Sequence, residues 1–409
     1  MVKTRSKKGS EEKSNVEKTL GGYFKLRGQV TKIIDNGGKG DTFTHSVISN
    51  GGKYDGSPTI GARISLTTRL EDNVRNDVDL RLFAMKADTM MVYDNQEKET
   101  LTIPYDEWEE YLEVKDEDKR NRYSILNSIR LKVEEEPVLD EDGNPVLDED
   151  GEEVYDLVKE VRTYPTYEAL EILEEVLEKG RGLFVQGRME FRSGTNREGE
   201  TVVYKQLTPT AIFSADVDFD AEDFEEVNEW NQQMYIVKTQ DDPKTNKLKI
   251  TGRIVNKDLD WVDTEFVIPY GDMPELEAYA DSVESEVEYG DLVYFGGHFR
   301  RGAKQVTQRK SKFSGGKTHT ASAGYGELEY VTDGTYTDTK CEEDLQKNKA
   351  TKRDFDLIKK TKEKNLGEEK EEVSDEPKRS KSSFGRAKAK TASKFEEESI
   401  DIDDDDLPF

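Results

Sequence analysis

The sequence predicts a mostly β protein: two small β-barrels, the first carrying an acidic insertion, followed by a tail that does not fold. Three observations point there. Short runs of alternating apolar and polar residues recur between glycine-rich loops. Several motifs of the first half return, in the same order, in the second. The 409 residues are 33% hydrophobic and 37% charged, with a formal net charge of −28, too polar for one compact globule throughout.

Residues 1–20 read as disordered. The first domain, 21–215, opens with YFKLRGQVTKI, in which Phe24, Leu26 and Val30 alternate against Tyr23, Lys25, Arg27 and Gln29. Glycine-rich loops then separate ARISLTTRL, DVDLRLFAM and LTIPY. An insertion near 115–165 contains PVLDEDG twice. It lacks the ligand spacing and closing glutamate of a calcium loop, so it reads as a solvated acidic hairpin turned away from any phosphate backbone. YEALEILEEVLEKG predicts a helix with Leu170, Leu173, Val176 and Leu177 on one face and Gly180 as its stop. GLFVQGRMEFR and TVVYKQLTPTAIFSA form a hairpin through SGTNREGE.

After a linker at 216–233, the second domain, 234–336, repeats this outline. KLKITGRIVN echoes FKLRGQVTKI, setting Gly252 against Gly28 and Ile254 against Val30. Ile103-Pro104-Tyr105 returns as Ile268-Pro269-Tyr270, and GRGLFVQGRMEFRSG as YGDLVYFGGHFRRG. Beyond 336 the strand pattern stops. Residues 337–399 read as a largely disordered linker with one short helix near CEEDLQKNKATKRDFDLIKKTKEKN, and 400–409 as an acidic tip.

Composition excludes several classes. A single cysteine, Cys341, rules out an internal disulfide, and with only His45, His298 and His319 it leaves no usual Cys/His zinc site. The opening MVKTRSKKGSEEKSN lacks the apolar core of a signal peptide, and no stretch approaches the ~18 apolar residues of a bilayer span. A soluble, cytoplasmic protein without membrane contact is expected. There is no phosphate-binding loop, metal-binding helix motif or serine elbow, so neither enzyme activity, catalytic residue, cofactor nor metal is expected.

Charge is segregated. From Leu292 to Gly326 the chain carries Arg300, Arg301, Lys304, Arg309, Lys310, Lys312 and Lys317 without one acid. A single strand of nucleic acid asks for cations along its phosphates and aromatic faces under its bases. Alternation turns Leu183, Val185, Met189 and Phe191 inward and Phe184, Gln186, Arg188 and Arg192 outward. In DLRLFAM it buries Leu80 and Leu82 and exposes Arg81 and Phe83. The competing reading covers Phe83 and Phe184 with the insertion or a neighbouring domain. In the second domain alternation buries Val293, Phe295 and Phe299 and exposes Tyr294, His298 and Arg300; alignment to the first copy gives the opposite. The basic loop from Arg300 to Lys317, with Phe313, is either a phosphate-binding segment or plain solvated loop.

The closing IDIDDDDLPF resembles the C-terminal tip of bacterial and bacteriophage single-stranded DNA-binding proteins, which end in aspartates followed by Ile or Leu, Pro and Phe. LRGQVTKI and GRMEFR are similar to the first and fourth strands of that family's oligonucleotide-binding (OB) fold. Bacterial members are usually shorter with one such fold, so two folds and a long insertion look like a phage-encoded version. The resemblance implies a protein that coats single-stranded DNA in replication, recombination and repair. It also implies a tip that docks on a polymerase, helicase, primase or recombination mediator. Phe409 would enter an apolar pocket beside Leu407 and Pro408, while Asp403, Asp404, Asp405 and Asp406 meet a basic rim. Two other readings stay open: a sequence-tolerant RNA-binding protein, and an acidic interaction scaffold whose barrels bind protein. The sequence does not fix the oligomeric state.

Overall fold

The computed structural model describes residues 14, 16, 19, 21–34, 42–49, 54–71, 74–116, 120–133, 135–138, 146, 155–158, 160–195, 201–256, 259–301, 309–310, 318–319, 328–333 and 349–361. The first half opens with β1 (Gly22–Ile34), β2 (Thr44–Val47), β3 (Pro58–Glu71) and β4 (Val74–Met85). A small separate sheet follows, β5 (Thr89–Asp94), β6 (Glu99–Pro104) and, across α1 (Trp108–Glu113), β7 (Tyr123–Ile125), packed on Val92, Ile103, Trp108 and Ile125. Then come β8 (Ser128–Lys132), the short pair β9 (Glu135–Pro137) and β10 (Tyr155–Leu157), and β11 (Arg162–Pro165). Helix α2 (Thr166–Val176) and the hairpin β12 (Gly182–Thr195) and β13 (Thr201–Ser214) complete this half.

The second half comprises β14 (Asn228–Asp242), β15 (Lys247–Val255), β16 (Trp261–Ile268), α3 (Glu277–Glu286) and β17 (Leu292–Arg301). The two-residue strands β18 (Arg309–Lys310) and β19 (Thr318–His319) pair with each other, and β20 (Leu328–Thr332) and a helix α4 over 352–361 follow.

Two separate barrels were expected; among the described residues thirteen strands instead join in one mixed sheet that, taken as a whole, is not a closed barrel. The reason lies in β1. One edge pairs antiparallel with β12; the other pairs with β14 at Tyr23–Leu26 and then with β3 from Gln29 onward. An edge that pairs with the other half leaves no gap between domains. In the second half the pairings run round a circuit, β14-β15-β16-β20-β17 and back to β14, with a single parallel pair, Val267 opposite Val331, joining β16 to β20. In the first half β8 pairs parallel with β13. One apolar core runs through both halves, from Leu26, Val185 and Leu170 to Trp230, Phe266 and Phe299. Each such side chain contributes about 1.5–3 kcal/mol by leaving water.

One hydrogen-bond arrangement recurs in both halves. After α2, Gly180 N donates to Val30 O at 2.7 Å; after α3, Gly290 N donates to Ile236 O at 2.8 Å. Both strands carry a register shift just past that point, between Val30 and Lys32 and between Ile236 and Lys238. Both glycines adopt positive φ, 93° and 86°, a backbone open to glycine at little cost. Setting Gly290 on Gly180 places Phe295 over Val185 and Phe299 over Met189, so alternation and alignment agree in β17. The echo of FKLRGQVTKI in KLKITGRIVN needs correction. Residues 247–255 form the second strand of their half, and the counterpart of β1 is β14, which begins inside the expected linker. Ile103-Pro104-Tyr105 ends β6 of the small sheet, whereas Ile268 ends β16 of the main one.

Residues at both extremes of the described chain meet on the second half. Val16 is buried with Phe355, Ile358, Tyr235 and Leu292, the Ser14 hydroxyl donates to Asp354 O at 3.1 Å, and Thr19 and Val255 bond both ways. Of residues 1–20, expected to be disordered, these three are therefore packed. Helix α4 starts at a capping box: Thr351 N donates to the Asp354 carboxylate at 2.8 Å, and Asp354 N returns to the Thr351 hydroxyl at 3.3 Å. Among the described residues no helix is long and apolar enough to cross a membrane.

Candidate nucleic-acid interface

The outward side chains of β1, β12 and β13 line a shallow groove. Tyr23 stands opposite Arg188, Lys25 opposite Gln186, and Arg27 opposite Phe184. Across the next ladder Arg188 faces Thr208 and Phe184 faces Phe213. Residues opposite one another in a ladder share a face, so these form one surface. A cleft of about 420 Å³ is lined by Tyr23, Lys25, Arg130, Gln186, Arg188 and Asn231. It continues past Arg130 and Arg188 into a second of about 350 Å³ that reaches Tyr123, Leu126 and Asn127.

The cations are available in different degrees. Arg188 is exposed, and neither it nor Arg130 makes an ion pair or side-chain hydrogen bond among the described residues. Lys25 lies 3.9 Å from Glu229, a loose pair that a phosphate can replace. Arg192 pairs with Glu190 at 2.9 Å. Arg27 is covered: its guanidinium donates to Glu225 O and lies 5.7 Å from the Phe224 ring centre. Gln29 donates to Val217 O at 2.9 Å. The acidic segment between β13 and β14 thus crosses this end of β1. Beside it the Phe184 and Phe213 rings stack, 6.3 Å apart and 10° from parallel.

Arg81 and Phe83 lie half-buried on β4, opposite Arg63 and Gly61, on a different stretch of sheet. Tyr294 and His298 are half-buried on β17, and His298 Nδ1 is 3.0 Å from Asp333. Arg300 binds Asp272 and lies 3.6 Å from Glu329. Arg301 turns into the first half, donating to Asp79 and, at 2.8 Å, to Asp77 O. Arg309 and Lys310 form β18 opposite His319 and Thr318. Lys304, Lys312 and the tip Asp403, Asp404, Asp405, Asp406, Leu407, Pro408 and Phe409 lie outside the described residues. Among the described residues no cluster of His, Cys, Asp or Glu is placed to hold a metal ion.

A model of the YorF family matches residues 105–372, well over half of the chain. The chain belongs to the YorF family. No curated protein matches it. Among solved structures it is similar to the single-stranded DNA binding protein of Thermus aquaticus, at 12% identity and a TM-score of 0.30, covering 78% of this chain and 97% of that one. A small single-stranded DNA-binding protein of Streptomyces coelicolor matches at 12% identity and a TM-score of 0.19, covering 49% and 96%. At these TM-scores the likeness establishes neither a shared fold nor a shared activity.

In this YorF chain the groove holds residues that sequence reasoning left out. Arg130 sits on β8, inside the insertion, and reaches the groove only through the parallel pairing of Arg130 with Ala211. Nothing local announces that pairing. Tyr23 and Lys25 carry a signal, since alternation along β1 turns both outward, whereas Asn231 falls in the stretch read as a linker and carries none.

Proposed function

We propose that this YorF-family chain binds single-stranded DNA without strong sequence preference and coats it during replication or recombination. The observation that carries the reading is the groove in which Arg130, Arg188 and Lys25 surround the Tyr23 ring, with the stacked Phe184–Phe213 pair further along the same face of β12. Cations spaced among ring faces serve a backbone of phosphates and a series of bases together. They form a basic strip on a chain of net charge −28, which a polyanion approaches only where cations are concentrated. We read the halves as two diverged OB folds, supported by the glycine N–H that closes each helix exit onto its opening strand and by the antiparallel strand pair that follows, β12 with β13 and β17 with β20. The reading extends to a phage-encoded, cytoplasmic protein whose tip, ending in Phe409, recruits replication or recombination partners. Its support is the terminal IDIDDDDLPF.

The test is fluorescence anisotropy of labelled oligo(dT) against the full chain at several salt concentrations. Binding should weaken with salt at a slope of about −0.7 per phosphate contact. No binding at low salt would refute the reading, and preference for an RNA oligomer of the same sequence would redirect it to RNA. Extract pull-downs with full-length and Phe409-deleted baits test the tip, which is refuted by identical captured sets.

A further inference from the structure

Followed across its ladders, the groove does not stop at the first half. One row runs from Thr208 on β13 through Arg188 on β12 and Tyr23 on β1 to Asn231 on β14 and Gly296 on β17. Four interstrand steps of about 4.8 Å give it a length of about 19 Å. Tyr294, opposite Gln233, and His298 alternate onto the same side of β17. The halves meet within this row, between Tyr23 and Asn231.

Resting on the reading of this chain as a single-stranded DNA binder, we infer that one DNA strand crosses both halves along this row. Two independent sites would need a ridge, loop or bare edge at the junction. Here β1 and β14 hydrogen-bond directly over four residue pairs. The Tyr23 ring, 51% exposed, stands at the seam as a platform for a base. Asn231 beside it and Thr208 at the far end of the row keep the track polar on both sides of the ring. The charges favour a polyanion: Arg130, Arg188 and Lys25 border the row, against Glu190 and Glu229.

The experiment titrates the full chain with labelled oligo(dT) long enough to reach both halves, using variants in each half and at the seam. If one strand crosses, the parent binds one oligomer per chain in a single phase. Arg188→Gln, Tyr23→Ala and Tyr294→Ala then each weaken that same phase, Tyr23→Ala by about tenfold. Two phases, with Arg188→Gln touching only one and Tyr294→Ala only the other, would overturn the crossing while leaving DNA binding intact. Absence of binding by the parent would instead overturn the DNA reading itself. Tyr23→Phe, which keeps the ring, should retain parental affinity; parental affinity in a folded Tyr23→Ala would also overturn the crossing.

Discussion

Arg301 at the end of β17 donates its guanidinium to the carboxylate of Asp79 on β4, tying the second half to the first. The same side chain reaches Asp77 O at 2.8 Å, and its backbone N–H reaches Asn76 at 3.2 Å. With 17% of its side chain exposed, Arg301 is largely withdrawn from water. Arg301→Ala leaves Asp79 short of its cation and should destabilise the chain by about 2 kcal/mol in urea melts. DNA affinity of the folded variant should change by less than twofold. A tenfold loss of affinity without loss of stability would return Arg301 to the DNA path.

Gly180 and Gly290 offer a controlled comparison. Both have positive φ, but a Cβ on Gly180 meets nothing within 4 Å, while one on Gly290 would lie 1.9 Å from Ala350 O. Gly180→Ala should cost only the left-handed conformation, about 1 kcal/mol. Gly290→Ala must also displace the backbone at Ala350, just ahead of α4. It should cost more, with loss of the Tyr235–Phe355 contact (rings 5.6 Å apart). Equal melting temperatures for the two variants would contradict this geometry.

Charge and stacking should separate in the groove. Arg130→Gln and Arg188→Gln should each reduce the salt slope on single strands by about 0.7. Phe184→Leu keeps apolar volume against Phe213 but removes the ring. It should weaken binding by ~1–3 kcal/mol with the slope unchanged. A slope that falls with Phe184→Leu would mean the ring positions a cation.

Asp94 provides a pH prediction. Hydrogen bonds from Arg122, at 2.8 and 3.0 Å, hold its carboxyl below the usual carboxylate range. A depressed folded value contributes stability that is complete above the ordinary value of about 3.9 and is lost as pH falls through the lower folded one. The parent should therefore exceed Asp94→Asn in stability at neutral pH, and the gap should close in acid. Emission of Trp108, in the core of the same small sheet, reports it. A gap constant down to pH 2 would exclude the linkage.

Much of the strand pattern was legible because one side of each strand is buried. Leu183, Val185 and Met189 lie inside and Arg188 outside, as a period of two requires. The helix over 166–176 follows equally from its apolar stripe. β14 escaped because its buried positions include Asn228 and Gln232, the latter fully enclosed, so polar letters fall where apolar ones are sought. Arg301 shows the limit for the site. Its sequence neighbours are basic and acid-free, yet its carboxylate partner lies 222 positions away. Charge in a sequence is local; whether it is neutralised is decided by the fold.

Ser14 bonds a residue 340 positions further on, and Thr19 one 236 positions further on. Synthesis runs in one direction, so the opening segment leaves the ribosome long before the surface that holds it exists. Val16 stays without its niche until Phe355 and Ile358 have been made, so the clasp they form cannot close before nearly all of the described chain has been synthesised. Chains ending before residue 349 should be cut at Val16 or Thr19 by brief protease treatment that leaves these two positions intact in the complete chain.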